Sequence, residues 1–265
     1  MGGRHQKNTT ERVIRMQQQE RGNIDAKEYT PGIRTYEVSS KGKSARVLCY
    51  TANRVCHCLS QLEKNFLIIL DFNPAVTKIY DQVSLKLEDT LTIAAALNIK
   101  HPYADTSVAI MTTDFLYVRD GRQYAVAIKH TDELKSDRTQ EKLAIEKAYW
   151  EKKHVPWRIM TEKDISCVYA ENLVWLHSGE DIELLVPDTE TRQNLLDVIL
   201  ELYEDYTIPF SEIVTEIESY AGLLAGTVIQ LFKHLVCTGR IHLDLYQPIH
   251  IIEPRALNMI SAPRS

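Results

Sequence analysis

The chain has 265 residues, of which 44 % are hydrophobic and 25 % charged, the proportions of an ordinary globular protein with one large or two modest domains. Its ten glycines and nine prolines exclude a collagen-like or low-complexity chain, and no run nears the roughly 18 apolar residues of a membrane span. The net charge of −5 divides into +6 over residues 1–60, −1 over 61–170 and −10 over 171–265. The two ends are therefore expected to meet different partners: the basic end suits a phosphate backbone and the acidic end does not.

Residues 1–30 are polar and read as a basic arm, either a short helix or disordered. Met1 to Gln19 lack the apolar core of a signal peptide, so a soluble intracellular, cytoplasmic protein is expected, with no membrane partner. Residues 33–60 alternate as β-strands do, around a turn cluster from Ser39 to Ser44. Cys56-His57-Cys58 has metal-like spacing, but no second close pair follows, so these cysteines are expected to pack as small apolar residues. Gln61 to Asp71 carries a helical pattern, with Ser60 and Glu63 at capping-box spacing at its start. Val76 to Leu87 reads as a strand, and Leu91 to Asn98 is an apolar stretch of either type.

Residues 110–129 say most. Asp120-Gly121 stands between two alternating apolar runs, Asp114 to Val118 and Gln123 to Lys129. Asp-Gly there is a strong hairpin signal, because a type I′ turn needs positive φ at both central residues. With those two residues as the loop, Arg119 pairs with Arg122 and Asp114 lies opposite Ala127. Lys129 is then the diagonal neighbour of Asp114 on the same face, at about 7–8 Å. Asp137 to Lys153 reads as a charged amphipathic helix and Pro156 to Met160 as a strand, completing an α/β core. A boundary is expected near 177–190. Beyond it three helices are expected, Thr191 to Tyr206, Phe210 to Tyr220 and Leu223 to Val236. Alternating segments at Ile241 to Tyr246 and Ile249 to Ile252 would then form a two-stranded wing, giving a winged-helix arrangement. The expected division is an arm over 1–30, a core over 31–180 and a winged helix over 181–265.

A phosphodiester nuclease needs carboxylates that hold Mg²⁺ against the scissile phosphate, and a nearby lysine to stabilise charge or orient water. Asp114 and Lys129 share one face of the hairpin, and Glu63 is the natural second carboxylate. From spacing alone the favoured reading of Glu63 is the reciprocal partner of Ser60 in the cap.

Several blocks, in order and spacing, resemble the TnsA-type endonuclease subunit of cut-and-paste transposons. They are Leu59-Ser60-Gln61-Leu62-Glu63, Lys100-His101-Pro102, Met111 to Leu116, Ala127-Ile128-Lys129, Glu141-Lys142-Leu143, Tyr149-Trp150, Pro156-Trp157 and Glu171-Asn172. The resemblance spans residues 28–180, and beyond that only the architecture. It implies a restriction-endonuclease-like catalytic core followed by a winged-helix domain. It further implies cleavage of the 5′, non-transferred strands at transposon ends, beside a DDE-type transposase that handles the 3′ ends. Glu63 and Asp114 would bind Mg²⁺, with Mn²⁺ as a substitute, and Lys129 would be the catalytic lysine. Glu146 matches a further acidic position, which a salt-bridged helix surface would equally explain. Relatives place Glu or Gln two residues before the lysine, where this chain has Ala127. The backbone carbonyl of Ile128, a water or Glu146 could fill that place. On the resemblance, the acidic C-terminal part docks to an AAA+ ATPase regulator. The other reading is an inactive nuclease-fold adaptor that bridges transposase, ATPase and DNA.

Overall fold

The computed structural model describes residues 16–37, 43–104, 107–178, 181–203 and 208–249. The chain forms two compact units, residues 1–166 and 167–265.

In the first unit, β1 (Ala45–Cys49) and β2 (Arg54–Cys58) form an antiparallel hairpin that leads into α1 (Gln61–Asp71). Then come β3 (Val76–Ser84), α2 (Leu87–Ala96) and the short pair β4 (Tyr103–Ala104) and β5 (Ser107–Val108). The stretch that the sequence left open is thus a helix. The centre of the unit is β6 (Thr112–Arg119) and β7 (Arg122–Ile128), followed by α3 (Asp137–Lys152) and β8 (Trp157–Met160). The main sheet runs β3-β6-β7-β8, antiparallel except for the β7–β8 pair, which is parallel and joined through α3.

The expected hairpin register holds. Arg119 pairs with Arg122 and Phe115 with Val126, and Asp120 and Gly121 have φ of 50° and 75°. Strand alternation then divides the side chains between two cores. Phe115, Tyr117, Val126 and Ile128 pack with Leu62, Phe66 and Leu70 of α1 and with Cys49, Cys56 and Cys58 of the hairpin. Leu116 and Ala125 pack with Ala94 of α2 and Ile145, Tyr149 and Trp150 of α3. The three hairpin cysteines are fully buried packing residues, and among the described residues no group of three His, Cys, Asp or Glu forms a metal cage.

The described part of the expected arm is built into this unit. Arg21 is buried and makes paired bonds of 2.8 and 2.5 Å to Glu37. Gly22 accepts from the Ser84 amide at 3.0 Å, and the Gly32 amide donates to the Gln82 carbonyl at 2.8 Å. The two glycines lie against the end of β3. Residues 1–15 lie outside the described residues, as do 38–42, most of the expected turn cluster.

The second unit holds α4 (Cys167–His177), one turn α5 (Ile182–Leu185), α6 (Thr189–Tyr203), α7 (Phe210–Ala221) and α8 (Thr227–Cys237). The last three are the expected helices, packed around Ile199, Phe210, Ile213, Leu231, Phe232 and Leu235. Gly239, at φ 74°, follows the end of α8 as expected. The expected wing is not formed among the described residues, since 241–249 carry no strand, and its second segment lies mostly beyond them. Ile241 is buried in the helical core instead, and the Asn172 amide donates to the carbonyls of Leu245 and Gln247 at 2.9 and 2.8 Å. Among the described residues no helix is long and apolar enough to cross a membrane.

Gly22 and Gly121 both have positive φ, but only Gly22 is crowded: a Cβ there would lie 2.5 Å from the Ser84 amide nitrogen, and at Gly121 it would meet nothing within 4 Å. Gly121→Ala is therefore expected to cost only the left-handed backbone term, about 1–2 kcal/mol. Gly22→Ala is expected to cost clearly more, which urea unfolding of the two variants would measure.

Candidate active site

Four elements of the first unit bring the expected residues together. Ser60 caps α1: its hydroxyl accepts from the Glu63 amide at 3.1 Å and donates to Glu63 Oε1 at 2.9 Å. Glu63 Oε2 accepts from the Leu59 amide at 2.8 Å. The Ser60 half of the expected capping box is formed, while the Glu63 carboxylate reaches the Leu59 amide and the Ser60 hydroxyl rather than the Ser60 amide, and these bonds do not exhaust it. Oε2 also accepts from the Gln82 side-chain amide at 3.2 Å, and that same nitrogen lies 3.5 Å from Asp114 Oδ1. The two readings of Glu63 describe one side chain in two roles.

Asp114, on β6, is tied to the end of β7. Its Oδ2 accepts from the Ile128 amide at 2.7 Å and from the Lys129 ammonium at 2.9 Å. The ammonium also donates to the Ile128 carbonyl at 2.7 Å. The diagonal relation expected from the hairpin is therefore a direct ion pair. Ala127 is buried and contributes only a methyl group. Glu146, on α3, is also buried. It accepts from Trp157 Nε1 at 3.0 Å, and the Thr113 hydroxyl bonds it as well.

Three buried carboxylates around one ammonium produce large shifts in acidity. Burial, and then the charge of Asp114, push the Glu63 carboxyl up to about 8. The same two causes in the same order push Glu146 up to about 7. Burial works against the Lys129 ammonium, but Asp114, Glu146 and Glu63 outweigh it, and the lysine is held charged above its ordinary range. Perturbed groups converging in this way mark a functional site more often than a structural one.

Gln82 is the member that the sequence reading missed. It sits in β3 at φ 53°, is 1 % exposed, and accepts from the Thr112 hydroxyl at 3.2 Å through its side-chain carbonyl. A glutamine inside a strand pattern carries no signal of its own. Only the pairing of Asp81 with Phe115 and of Val83 with Thr113 sets it across from Asp114. A cleft of about 990 Å³ elsewhere in this unit, lined by Arg21, Lys86, Trp150 and Lys153 among others, contains none of these five residues.

Core and helical unit together match models of one protein family. Residues 73–162 match the TnsA-like endonuclease N-terminal model and residues 164–245 the TnsA endonuclease C-terminal model. Over 238 residues the chain is 31 % identical to the Escherichia coli protein described as transposon Tn7 transposition protein TnsA, an alignment that covers 89 % of this chain and 86 % of that one. The chain belongs to the TnsA endonuclease family.

The raised acidities set a pH dependence. An acid whose folded-state pKa lies above its unfolded value stabilises the fold below the unfolded value, and that contribution is lost as pH rises through the folded one. In a chelator, the melting temperature is therefore expected to fall as pH rises from about 5 to about 8, with Glu63 contributing over the upper part of that range. Glu63→Gln should flatten the profile, and an unchanged slope in that variant would show that Glu63 is not protonated in the native protein.

Proposed function

We propose that this chain is a Mg²⁺-dependent DNA endonuclease subunit of a transposase, cleaving the 5′, non-transferred strands at transposon ends. The observation that carries the reading is the set of buried Glu63 and Asp114 with half-buried Lys129, in which the lysine pairs directly with Asp114. The fold supports a restriction-endonuclease-like core, because α1, β6 and β7 of a mixed sheet present these residues together.

The donor set suits a hard divalent cation. Mg²⁺ takes oxygen ligands, characteristically one or two carboxylates with water and phosphate making up the rest. Glu63 and Asp114 would hold it, with the Ile128 carbonyl as a further oxygen. Burial and then the charge of Asp114 push Glu63 toward its protonated form, and a cation would offset both. Mn²⁺ would substitute. When bound, the cation would polarise the scissile phosphate and lower the pKa of an attacking water.

The chain's own groups do the rest. Asp114, fixed by the Ile128 amide, orients Lys129, whose ammonium stays charged and stabilises the negative charge that develops on the phosphate. Glu146 lies close enough to influence Lys129 and serves as an accessory carboxylate at the edge of the set. An adaptor would have no use for this arrangement, because an apolar core in its place would be as stable or more so.

The second unit is proposed to bind protein. Lys233, one of two basic residues on α8, is turned inward. Its ammonium lies 4.7 Å from the Trp175 ring centre and donates to the Ser178 carbonyl at 2.8 Å. Arg240 pairs with Asp197 at 2.8 Å. A helix meant to read DNA would instead present such cations to phosphate. The partners proposed are therefore transposon-end DNA and a DDE-type transposase for the complex as a whole, and an AAA+ ATPase regulator for this acidic unit.

The test is strand-specific cleavage of a donor plasmid carrying transposon ends, with cognate transposase, ATPase and Mg²⁺. Asp114→Ala and Lys129→Ala are each expected to lower 5′-strand cutting by at least about 10²-fold while the 3′ cuts persist. If wild type makes no 5′ cuts but the 3′ cuts still require this chain, it is an adaptor.

A further inference from the structure

We propose that Gln82 is a positioning residue for the metal-binding pair: its side-chain amide holds Glu63 and Asp114 in register so that a divalent cation meets a preformed site. The inference rests on the nuclease reading and deepens it.

Gln82 combines features that packing alone does not require. It is a β-strand residue in the left-handed region, at φ 53°, a conformation that costs a side-chain-bearing residue about 1–2 kcal/mol. Backbone held in such a region concentrates at functional sites, where neighbours over-determine it. Here the Gly32 amide donates to the Gln82 carbonyl at 2.8 Å, and a Cβ on Gly32 would fall 2.8 Å from that same oxygen. The strained turn carries the side chain to the two carboxylates.

The orientation of the amide follows from donor chemistry. Asp114, salt-bridged to Lys129, accepts and does not donate, so the nitrogen faces it at 3.5 Å and lies 3.2 Å from Glu63. The carbonyl end is left to the Thr112 hydroxyl, which donates to it at 3.2 Å. Glu63 takes its other bonds from Leu59 and Ser60 at the start of its own helix. Gln82 is thus the side chain that joins α1 to the β6–β7 pair at the carboxylates. The strand position opposite Asp114 on β7 is Ala127, which has no polar atom to offer. The bridging amide comes from β3, on the other side of β6.

A residue that orients a metal ligand through a hydrogen bond typically changes metal affinity or activity by about 10–100-fold when removed. Gln82→Met keeps most of the volume and removes the donor. Calorimetric titration of the full-length protein with MnCl₂ is expected to show about 10–100-fold weaker binding in this variant. The Mg²⁺ concentration for half-maximal 5′-strand cleavage should rise by a similar factor, with the rate recovering at saturating metal. Thr112→Val, which removes the hydroxyl that orients the amide, should move both quantities in the same direction by less. If Gln82→Met binds Mn²⁺ as wild type does, or loses rate at all metal concentrations with unchanged affinity, the proposal is overturned. If that variant does not fold, Thr112→Val decides, and unchanged metal affinity in it overturns the proposal. A wild-type protein that binds no Mn²⁺ and makes no 5′ cut would instead overturn the nuclease reading itself.

Discussion

The first unit is organised around an imbalance of charge: three buried carboxylates face one half-buried ammonium. Glu63, Asp114 and Glu146 are each less than a tenth exposed, and Lys129 is the cation that all three feel. Burying an ionised carboxylate is costly unless it is hydrogen-bonded and paired. Each carboxylate here has its own donors: Leu59, Ser60 and Gln82 for Glu63, the Ile128 amide and Lys129 for Asp114, and Trp157 for Glu146. Even so, two of the three are pushed toward the neutral form. A fold selected only for stability would fill such a place with apolar side chains. The arrangement makes sense if the missing positive charge arrives with the ligand.

That constraint explains features that would otherwise be unrelated. The cap of α1 places a carboxylate at a helix start, where its own backbone amides stabilise it. The I′ turn at Asp120-Gly121 fixes the β6–β7 register, and a one-residue slip would move Asp114 and Lys129 to opposite faces of the sheet. Gly22 and Gly32 let residues 20–32 approach β3 closely enough to brace Gln82 and Ser84. The buried Arg21–Glu37 pair anchors that segment from the other side. Residues far from the site in sequence thus contribute to it through the backbone geometry of β3.

What was legible in the sequence was what local chemistry decides. Asp-Gly specifies its turn, the turn specifies the register, and the register puts Lys129 beside Asp114. Ser60 and Glu63 announce a helix start by spacing alone. Gln82 could not be found in this way, because its role depends on a non-local strand pairing and on a positive φ that glutamine does not advertise. The helix α2 was ambiguous for a related reason: Lys86 at its start gives no side-chain cap, and its apolar positions are too few to separate helix from strand. At Ile241 to Tyr246 the alternation was real but misleading. Ile241 serves the helical core, and the carbonyls of Leu245 and Gln247 are taken up by Asn172 rather than by a neighbouring strand.

The second unit adds a consequence for how cleavage is controlled. Its net charge from residue 171 onward is −10 with Lys233 and Arg240 already counted, and both of those cations are engaged within the unit. Residues 61–170 are close to neutral. Phosphate contacts supply most of the sequence-independent affinity for DNA, and the chain's net positive charge lies in its first 60 residues. Neither the acidic residues 171–265 nor the near-neutral residues 61–170 favour a phosphate backbone, so assembly partners would have to supply much of the grip on DNA that the proposed nuclease needs.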